Sequence, residues 1–335
     1  MVLSRRSFVL SGLVLAASGA FGGALTELPA GRRPFVLWGS SSAASALHRD
    51  RPRGFPAVRI DDLLSQLLEV PGTSRAVSGD RSWQTLAMRS SAHPYLPRLG
   101  SGYGVGRIPA HGSLVVPTVD GRVPSVHLAI PGTVSGLPCT IQAVGRDEGD
   151  VVLRRAVPGA ELEVAPASEA RWRTALEEEH RGHVHLLWTG KNNIEDPEQV
   201  LSDTHAAWGV EPADTRAAWG VEPGTSVVMG HWHTAADRPG TAGWEEVRAV
   251  NAALRAEYGD RFYDTMADLR DPGLWSLAAL RAHRIGASPA DRRWLGLGLP
   301  PRSVVAADRR HLNALGNTIV AHGLHRHLTG AAGLY

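Results

Sequence analysis

At 335 residues the chain can hold one large domain or two ordinary ones, and its 43% hydrophobic and 20% charged residues are typical of a globular protein with a sizeable core. The 35 basic and 33 acidic residues leave a formal net charge of +2, which excludes the strong positive charge that nucleic-acid binding uses, so no nucleic-acid partner is expected. Cys139 is the only cysteine, which excludes an intramolecular disulfide.

The first 24 residues have the pattern of an export signal. Arg5 and Arg6 precede an apolar run that ends near residue 17, and small residues follow between positions 18 and 24. We expect residues 1–24 to be a twin-arginine signal peptide, recognised by the twin-arginine export machinery, and the mature protein to be secreted. The alternative is an uncleaved membrane anchor, for which the run is short and rich in Gly and Ser.

Strand and helix patterns then alternate along the chain. Apolar runs predict buried strands at residues 35–38, 75–77, 184–188, 226–229 and 261–263. Helical spacing of apolar residues predicts helices at residues 60–70, 83–89, 244–258 and 313–328. Strands that alternate with helices favour an α/β fold with a parallel sheet covered on both faces.

Residues 105–166 interrupt this alternation with alternating apolar residues, many turn residues and no helical periodicity. We interpret them as a β-rich insertion in an α/β core that consists of residues 34–104 and 167–330. The sequence Ala-Ala-Trp-Gly-Val-Glu-Pro occurs at residues 206–212 and again at 217–223. Two copies are too few for a repeat fold and indicate a duplicated surface loop.

Three serines follow the first predicted strand. A nucleophilic serine belongs on a tight turn at the carboxyl end of a strand, where helix N–H groups lie near its hydroxyl. Gly39 and the serines Ser40, Ser41 and Ser42, which are expected to open a helix, fit this description. Taken alone, ordinary helix capping explains these serines better.

Two further segments place an oxyanion donor after a predicted strand. Gly79 can present its backbone N–H to an oxyanion with no side chain in the way. Asn192 can direct its side-chain amide to the same point. A plain strand-to-helix turn at Gly79 and helix capping by Asn192 are the alternatives.

Asp308 lies three residues before His311, just ahead of the last predicted helix. This spacing can place a carboxylate against one imidazole nitrogen and leave the other nitrogen to accept a proton from a nucleophile. Such a pair also occurs by chance, so its weight comes from the three segments upstream.

Taken together and in order, these segments resemble the four conserved blocks of the SGNH (GDSL-type) hydrolase superfamily: Gly39-x-Ser41, Gly79, Gly190-x-Asn192 and Asp308-x-x-His311. The resemblance covers residues 35–328. It implies a flavodoxin-like three-layer α/β/α sandwich with a five-stranded parallel sheet.

The resemblance also implies a role for each matched residue. Ser41 would be the nucleophile, His311 the general base, and Asp308 the group that orients the imidazole. The backbone N–H groups of Ser41 and Gly79 and the side chain of Asn192 would form the oxyanion hole.

Two positions depart from the family pattern. Ser40 and Asn193 stand where the family often has aspartate, which puts the subfamily in doubt rather than the activity. Ser40 and Ser42 remain alternative nucleophiles.

Histidines elsewhere raise the question of a metal site. His231 and His233 point to the same side of an extended segment, and further histidines cluster within residues 180–185. No nearby cysteine or carboxylate completes a zinc-binding set, so neither a metal nor another cofactor is expected. His231, His233 and Asn193 are instead candidates for the substrate rim, and packing in the core is the alternative for the histidines.

The function that these residues favour is an exported serine esterase that hydrolyses a small acyl or acetyl ester of a small molecule or a carbohydrate. An acyltransferase, in which a sugar hydroxyl replaces water, would use the same residues. A non-catalytic glycan-binding protein that acts through the insertion is the third hypothesis. The sequence does not indicate the oligomeric state.

Overall fold

The computed structural model of the chain describes residues 32–89, 98–99, 107–118, 122–145, 149–163, 170–208 and 225–335. The predicted signal peptide lies outside these residues, and so does most of the duplicated seven-residue sequence. None of the helices in these ranges has the length and apolar character that crossing a membrane requires.

The central element is a five-stranded parallel sheet. Its strands are β1 (Phe35–Gly39), β2 (Gly72–Ser74), β11 (Val184–Trp188), β12 (Ser226–Met229) and β13 (Phe262–Tyr263). They lie in the spatial order β13-β12-β11-β1-β2, and every neighbouring pair is parallel. Renumbered along the chain this is the 2-1-3-4-5 order of flavodoxin-like folds, which confirms the predicted fold class.

The sequence explains why these strands are central. Every residue of β1, β11 and β12 is buried, as expected for strands that are covered on both faces. Alternate residues of β1 enter different cores: Phe35 and Leu37 pack on one face of the sheet, and Val36 and Trp38 pack on the other. Complete burial of each such side chain contributes about 1.5–3 kcal/mol to folding.

Nine helices are present in the described part of the chain. They are α1 (Ile60–Leu68), α2 (Ser82–Arg89), α3 (Ala175–Glu179), α4 (Pro197–Trp208), α5 (Ala242–Tyr258), α6 (Thr265–Leu269), α7 (Pro272–Trp275), α8 (Pro289–Gly296) and α9 (Ala314–Thr329). The helices α1 and α9 contribute to the core on one face of the sheet, whereas α2, α4 and α5 contribute to the core on the other. All four helices predicted from apolar spacing are therefore confirmed, with small changes at their ends.

The second strand differs from its predicted position. We expected it at residues 75–77, but β2 precedes them. The N–H groups of Arg75 and Val77 still donate to the carbonyl oxygens of Leu37 and Gly39, at 2.9 and 3.0 Å. The Gly-Thr-Ser sequence of β2 lacks an apolar strand pattern, and it forms a strand because it pairs with β1 at the sheet edge.

A second, antiparallel sheet lies outside the α/β core. It contains β3 (Arg98–Leu99), β5 (Ser113–Pro117), β6 (Ile130–Val134), β7 (Leu137–Ala143), β8 (Asp150–Arg155) and β10 (Ala170–Thr174), in the order β3-β10-β6-β7-β8-β5. The strands β4 (Arg107–Ile108) and β9 (Leu162–Glu163) form a separate pair. Since β3 and β10 lie beyond residues 105–166, the antiparallel sheet extends past the boundaries that we expected for the insertion.

The antiparallel sheet shares a core with the parallel one. Ile130, Ile141 and Trp172 belong to the same buried cluster as Trp38 and Leu187 of the central strands. The antiparallel sheet is therefore packed against the α/β core, on the face that also carries α2 and α4.

Gly39 ends β1 in a conformation that only glycine tolerates. Its φ is +148°, and a Cβ atom there would lie 2.0 Å from the carbonyl oxygen of Trp188 on β11. We expect Gly39→Ala to lower the free energy of unfolding by about 3 kcal/mol or more, because backbone strain and a backbone clash add together. Denaturant unfolding followed by circular dichroism measures the change.

Gly54→Ala is the matched control. Gly54 also has a positive φ, +82°, but a Cβ atom there would meet nothing within 4 Å. Its substitution should cost only the backbone strain, about 1–2 kcal/mol. Equal losses in the two variants would contradict the assigned contact between Gly39 and β11.

Candidate active site

The serines after β1 lie on consecutive turns rather than on the helix that we expected. The N–H of Ala44 donates to Ser40 O at 2.9 Å, the N–H of Ala46 donates to Ser41 O at 3.0 Å, and Ser45 has a φ of +51°. The donor and acceptor residues are four positions apart in the first bond and five in the second, so no regular helix forms. Within the described residues, no hydrogen bond uses the N–H of Ser41.

The Ser41 hydroxyl contacts the imidazole of His311. The distance from Ser41 Oγ to His311 Nε2 is 2.8 Å, and His311 Nδ1 lies 2.5 Å from Asp308 Oδ2. Three side chains from two distant segments are thus connected in series. Ser40 is 2% exposed and makes no such contact, which favours Ser41 over Ser40 as the hydroxyl available for chemistry.

Asp308 is held as a carboxylate. Burial raises its pKa, but this effect is outweighed by hydrogen bonds from the N–H of Arg310, from the imidazole and from the N–H of His311, so that the pKa lies below its ordinary value. Asp308 Oδ1 accepts the two backbone N–H groups at 2.9 and 3.1 Å. A carboxylate so fixed favours a proton on His311 Nδ1, which leaves Nε2 as the acceptor that faces Ser41.

The loop that carries His311 is fixed to the loop that carries Ser41. Asp50, nine residues after Ser41, accepts the N–H of Ala307 on its side chain at 2.7 Å and the N–H of Ala314 on its backbone oxygen at 2.9 Å. Asn313 caps α9 by accepting the N–H groups of the helix's second and third residues. The position of the imidazole is therefore set on both sides of the histidine.

The predicted oxyanion donors lie on turns that follow β2 and β11. Gly79 has a φ of +87°, and no hydrogen bond among the described residues uses its N–H. Asn192 uses one of its two amide N–H groups to donate to the backbone oxygen of Asp80, at 2.8 Å. This bond ties the turn after β11 to the turn after β2, next to Gly79.

A buried polar network joins the same two turns from behind. Asn193 Oδ1 accepts the N–H of Ser82 at 3.0 Å, and Asn193 Nδ2 donates to Ser82 Oγ at 2.9 Å. Ser82 Oγ donates in turn to Asp203 on α4 at 2.5 Å, and Gln199 donates to the same carboxyl group at 2.7 Å. The sequence does not predict this network, because α4 has no motif that pairs it with the turns.

Asn193, His231 and His233 do not form the substrate rim that we expected. They are 2%, 1% and 6% exposed, so their side chains offer almost no surface to a substrate. Asn251 fixes the backbone of His231 by accepting its N–H and donating to its oxygen, at 2.8 and 2.7 Å. The ring of His233 stacks on Trp244, with 4.0 Å between the centroids.

Burial also keeps both of these histidines neutral. It lowers the pKa of His231 to about 3, with a further contribution from the nearby Lys191 ammonium, and it lowers the pKa of His233. Lys191 itself pairs with Asp237 at 2.6 Å. This ion pair links the turn after β11 to the loop after β12 and was not found from the sequence.

The Asp203 carboxyl should make stability depend on pH. Burial raises its pKa from 3.8 to about 6, against hydrogen bonds from Ser82 and Gln199 that lower it. Because the pKa of Asp203 is higher in the folded state than in the unfolded state, the protonated carboxyl contributes to the stability of the fold. This contribution is complete below about pH 4 and is lost as the pH rises through about 6. We expect the melting temperature of Asp203→Asn to rise relative to that of the wild type as the pH is raised from 4 to 7.

Calorimetry of both proteins over this pH range measures the difference. Asp62→Asn, at an exposed aspartate on α1, controls for the removal of one negative charge. A difference between Asp203→Asn and the wild type that stays constant with pH would show that this carboxyl is not destabilised by burial.

Comparison with known proteins gives little sequence similarity. No family model matches the chain, and no curated protein matches it. A crystal structure of TesA aligns over 89% of this chain and 99% of its own, with 11% identity and a TM-score of 0.41. A structure of a peptidoglycan O-acetylesterase aligns over 90% and 91%, with 14% identity and a TM-score of 0.34. Both scores are too low to assign a fold or a function by themselves.

The topology of the sheet identifies the fold instead. Five parallel strands in the 2-1-3-4-5 order carry three of the four blocks on the turns that follow β1, β2 and β11, and the fourth block contacts the first. The chain thus has the fold that its resemblance to the SGNH hydrolases implied.

Proposed function

We propose that the protein is an exported serine esterase of the SGNH type that hydrolyses small acyl or acetyl esters through an acyl-enzyme. The observation that carries the proposal is the chain of contacts from Ser41 Oγ to His311 Nε2 and from His311 Nδ1 to Asp308, at 2.8 and 2.5 Å. Export is proposed on the pattern of residues 1–24 alone.

In the first half of the reaction, Ser41 Oγ attacks the carbonyl carbon of the ester while His311 Nε2 accepts the hydroxyl proton. The imidazolium that forms is stabilised by the Asp308 carboxylate, which stays ionised. Collapse of the tetrahedral intermediate breaks the bond to the alcohol. His311 donates its proton to the departing oxygen, and the acyl group remains on Ser41.

The oxyanion of the tetrahedral intermediate needs hydrogen-bond donors that are in place before the reaction. The proposed donors are the N–H groups of Ser41 and Gly79 and the second amide N–H of Asn192, on the turns after β1, β2 and β11. Their availability supports this role, because no hydrogen bond among the described residues uses them. A donor of this kind contributes about 3 kcal/mol, or 10²–10³ in rate.

In the second half, His311 Nε2 takes a proton from a water molecule that attacks the acyl carbon. The carboxylic acid leaves and the proton returns to Ser41 Oγ. These residues carry out both halves by nucleophilic attack, proton transfer and hydrogen bonding, and this chemistry places no requirement on a cofactor.

Removal of the Ser41 hydroxyl should abolish turnover. We expect Ser41→Ala to lower kcat on p-nitrophenyl acetate by at least about 10³-fold, because no covalent intermediate can form. Ser42→Ala is the matched control, since Ser42 is an adjacent hydroxyl without a contact to His311 within the described residues. Equal rates for the wild type and Ser41→Ala would reject Ser41 as the nucleophile. Loss of activity in Ser42→Ala alone would assign that role to Ser42.

Asn192 should act on the rate rather than on folding. We expect Asn192→Ala to lower kcat by about 10²–10³-fold through loss of an oxyanion donor. The lost hydrogen bond to Asp80 O should cost only about 1 kcal/mol of stability. Steady-state kinetics and a melting curve separate the two effects, and a normal kcat would exclude Asn192 from the oxyanion hole.

A further inference from the structure

The β-rich insertion reaches the turn that presents Gly79. The segment between β5 and β6 lies against this turn, where Ser125 Oγ donates to Asp80 Oδ1 at 2.9 Å and Gln84 Nε2 donates to Pro124 O at 3.2 Å. Ser125 and Asp80 are 0% and 1% exposed. Two buried hydrogen bonds therefore fix this part of the insertion beside the proposed oxyanion hole.

This anchored segment carries His127 to the surface next to Gly79. The N–H of His127 donates to Ser125 Oγ at 3.3 Å, which fixes its backbone. Its side chain is exposed, and its Nε2 lies 3.5 Å from the point where a Cβ atom on Gly79 would be. In the part of the chain that the structure describes, no hydrogen bond uses either ring nitrogen of His127.

The His127 ring lies close to the residue whose N–H is a proposed oxyanion donor. A group in this place can contact the part of a substrate that adjoins the reacting carbonyl.

Polar and aromatic side chains lie near this turn. Trp83, four residues after Gly79, is half-buried, and the guanidinium groups of Arg81 and Arg122 lie 5.1 and 5.2 Å from the centre of its ring. Imidazole nitrogens can both donate to and accept from a hydroxyl group. Such surroundings suit a hydroxylated substrate better than a long alkyl chain.

We propose that His127 is a substrate-binding residue that hydrogen-bonds a hydroxyl group on the alcohol part of a polyhydroxylated, carbohydrate-like ester. The proposal rests on the esterase function proposed above and names the substrate class of that same site. It assigns to the insertion a direct role in choosing the substrate.

The test compares two esters that differ only in hydroxyl groups, propyl acetate and glycerol 1-acetate, by the release of acetate. His127→Ala should lower kcat/KM for glycerol 1-acetate by about five- to tenfold, the value of one hydrogen bond, and mainly through KM. For propyl acetate the change should stay within about twofold. His127→Gln, which keeps a donor and an acceptor, should recover most of the loss.

His111→Ala is the matched control, because His111 is another exposed histidine of the insertion. This substitution should leave kcat/KM for both esters unchanged. Equal losses on both esters in His127→Ala, or no loss on either, would overturn the proposal even though Ser41→Ala is inactive and the wild type is active. If the wild type hydrolyses neither ester, or if Ser41→Ala is as active as the wild type, the esterase function fails and this proposal fails with it.

Discussion

The hydrogen bond from Ser41 to His311 joins residues that are 270 positions apart in the chain. It can form only because the turn after β1 and the loop before α9 are brought together by the parallel sheet and by the helix that covers it. In a flavodoxin-like sheet the strand order reverses between β1 and β11, which opens a crevice at the carboxyl ends of these strands. The proposed nucleophile follows β1 at this end of the sheet.

The surrounding structure limits how far the reactive groups can move. Asp50 binds the loop of His311, and Asn192 and Asn193 bind the turn after β11 to the turn after β2. These are side-chain bonds to backbone groups or to buried partners, which hold loops more firmly than exposed ion pairs do. Loops held in this way keep their hydrogen-bond donors in place. Preorganised donors stabilise a developing charge without a reorganisation cost at the moment of reaction.

Four of the other histidines in the described residues, His180, His185, His231 and His233, are buried in the core. His185 Nδ1 accepts a hydrogen bond from the indole of Trp38 at 3.0 Å, and His180 Nε2 accepts one from Arg75 at 2.9 Å. Burial lowers the pKa of His180 to about 4, so its ring is a neutral acceptor under physiological conditions. His311 differs because its two nitrogens contact a hydroxyl and a carboxylate at a partly open surface.

The sequence alone determined the features that depend on local pattern. These are the buried strands β1, β11 and β12, the four helices that apolar spacing predicts, and four short motifs in an order that resembles a known family. Local pattern could not locate the polar edge strand β2, nor could it show that the serines lie on turns, that Asn193 and His231 are buried, or that the insertion packs beside Gly79. Each of these depends on contacts between residues far apart in the chain. Such contacts arise only when the sheet and the insertion pack together, because burial and hydrogen-bond partners are properties of the assembled chain and not of a segment.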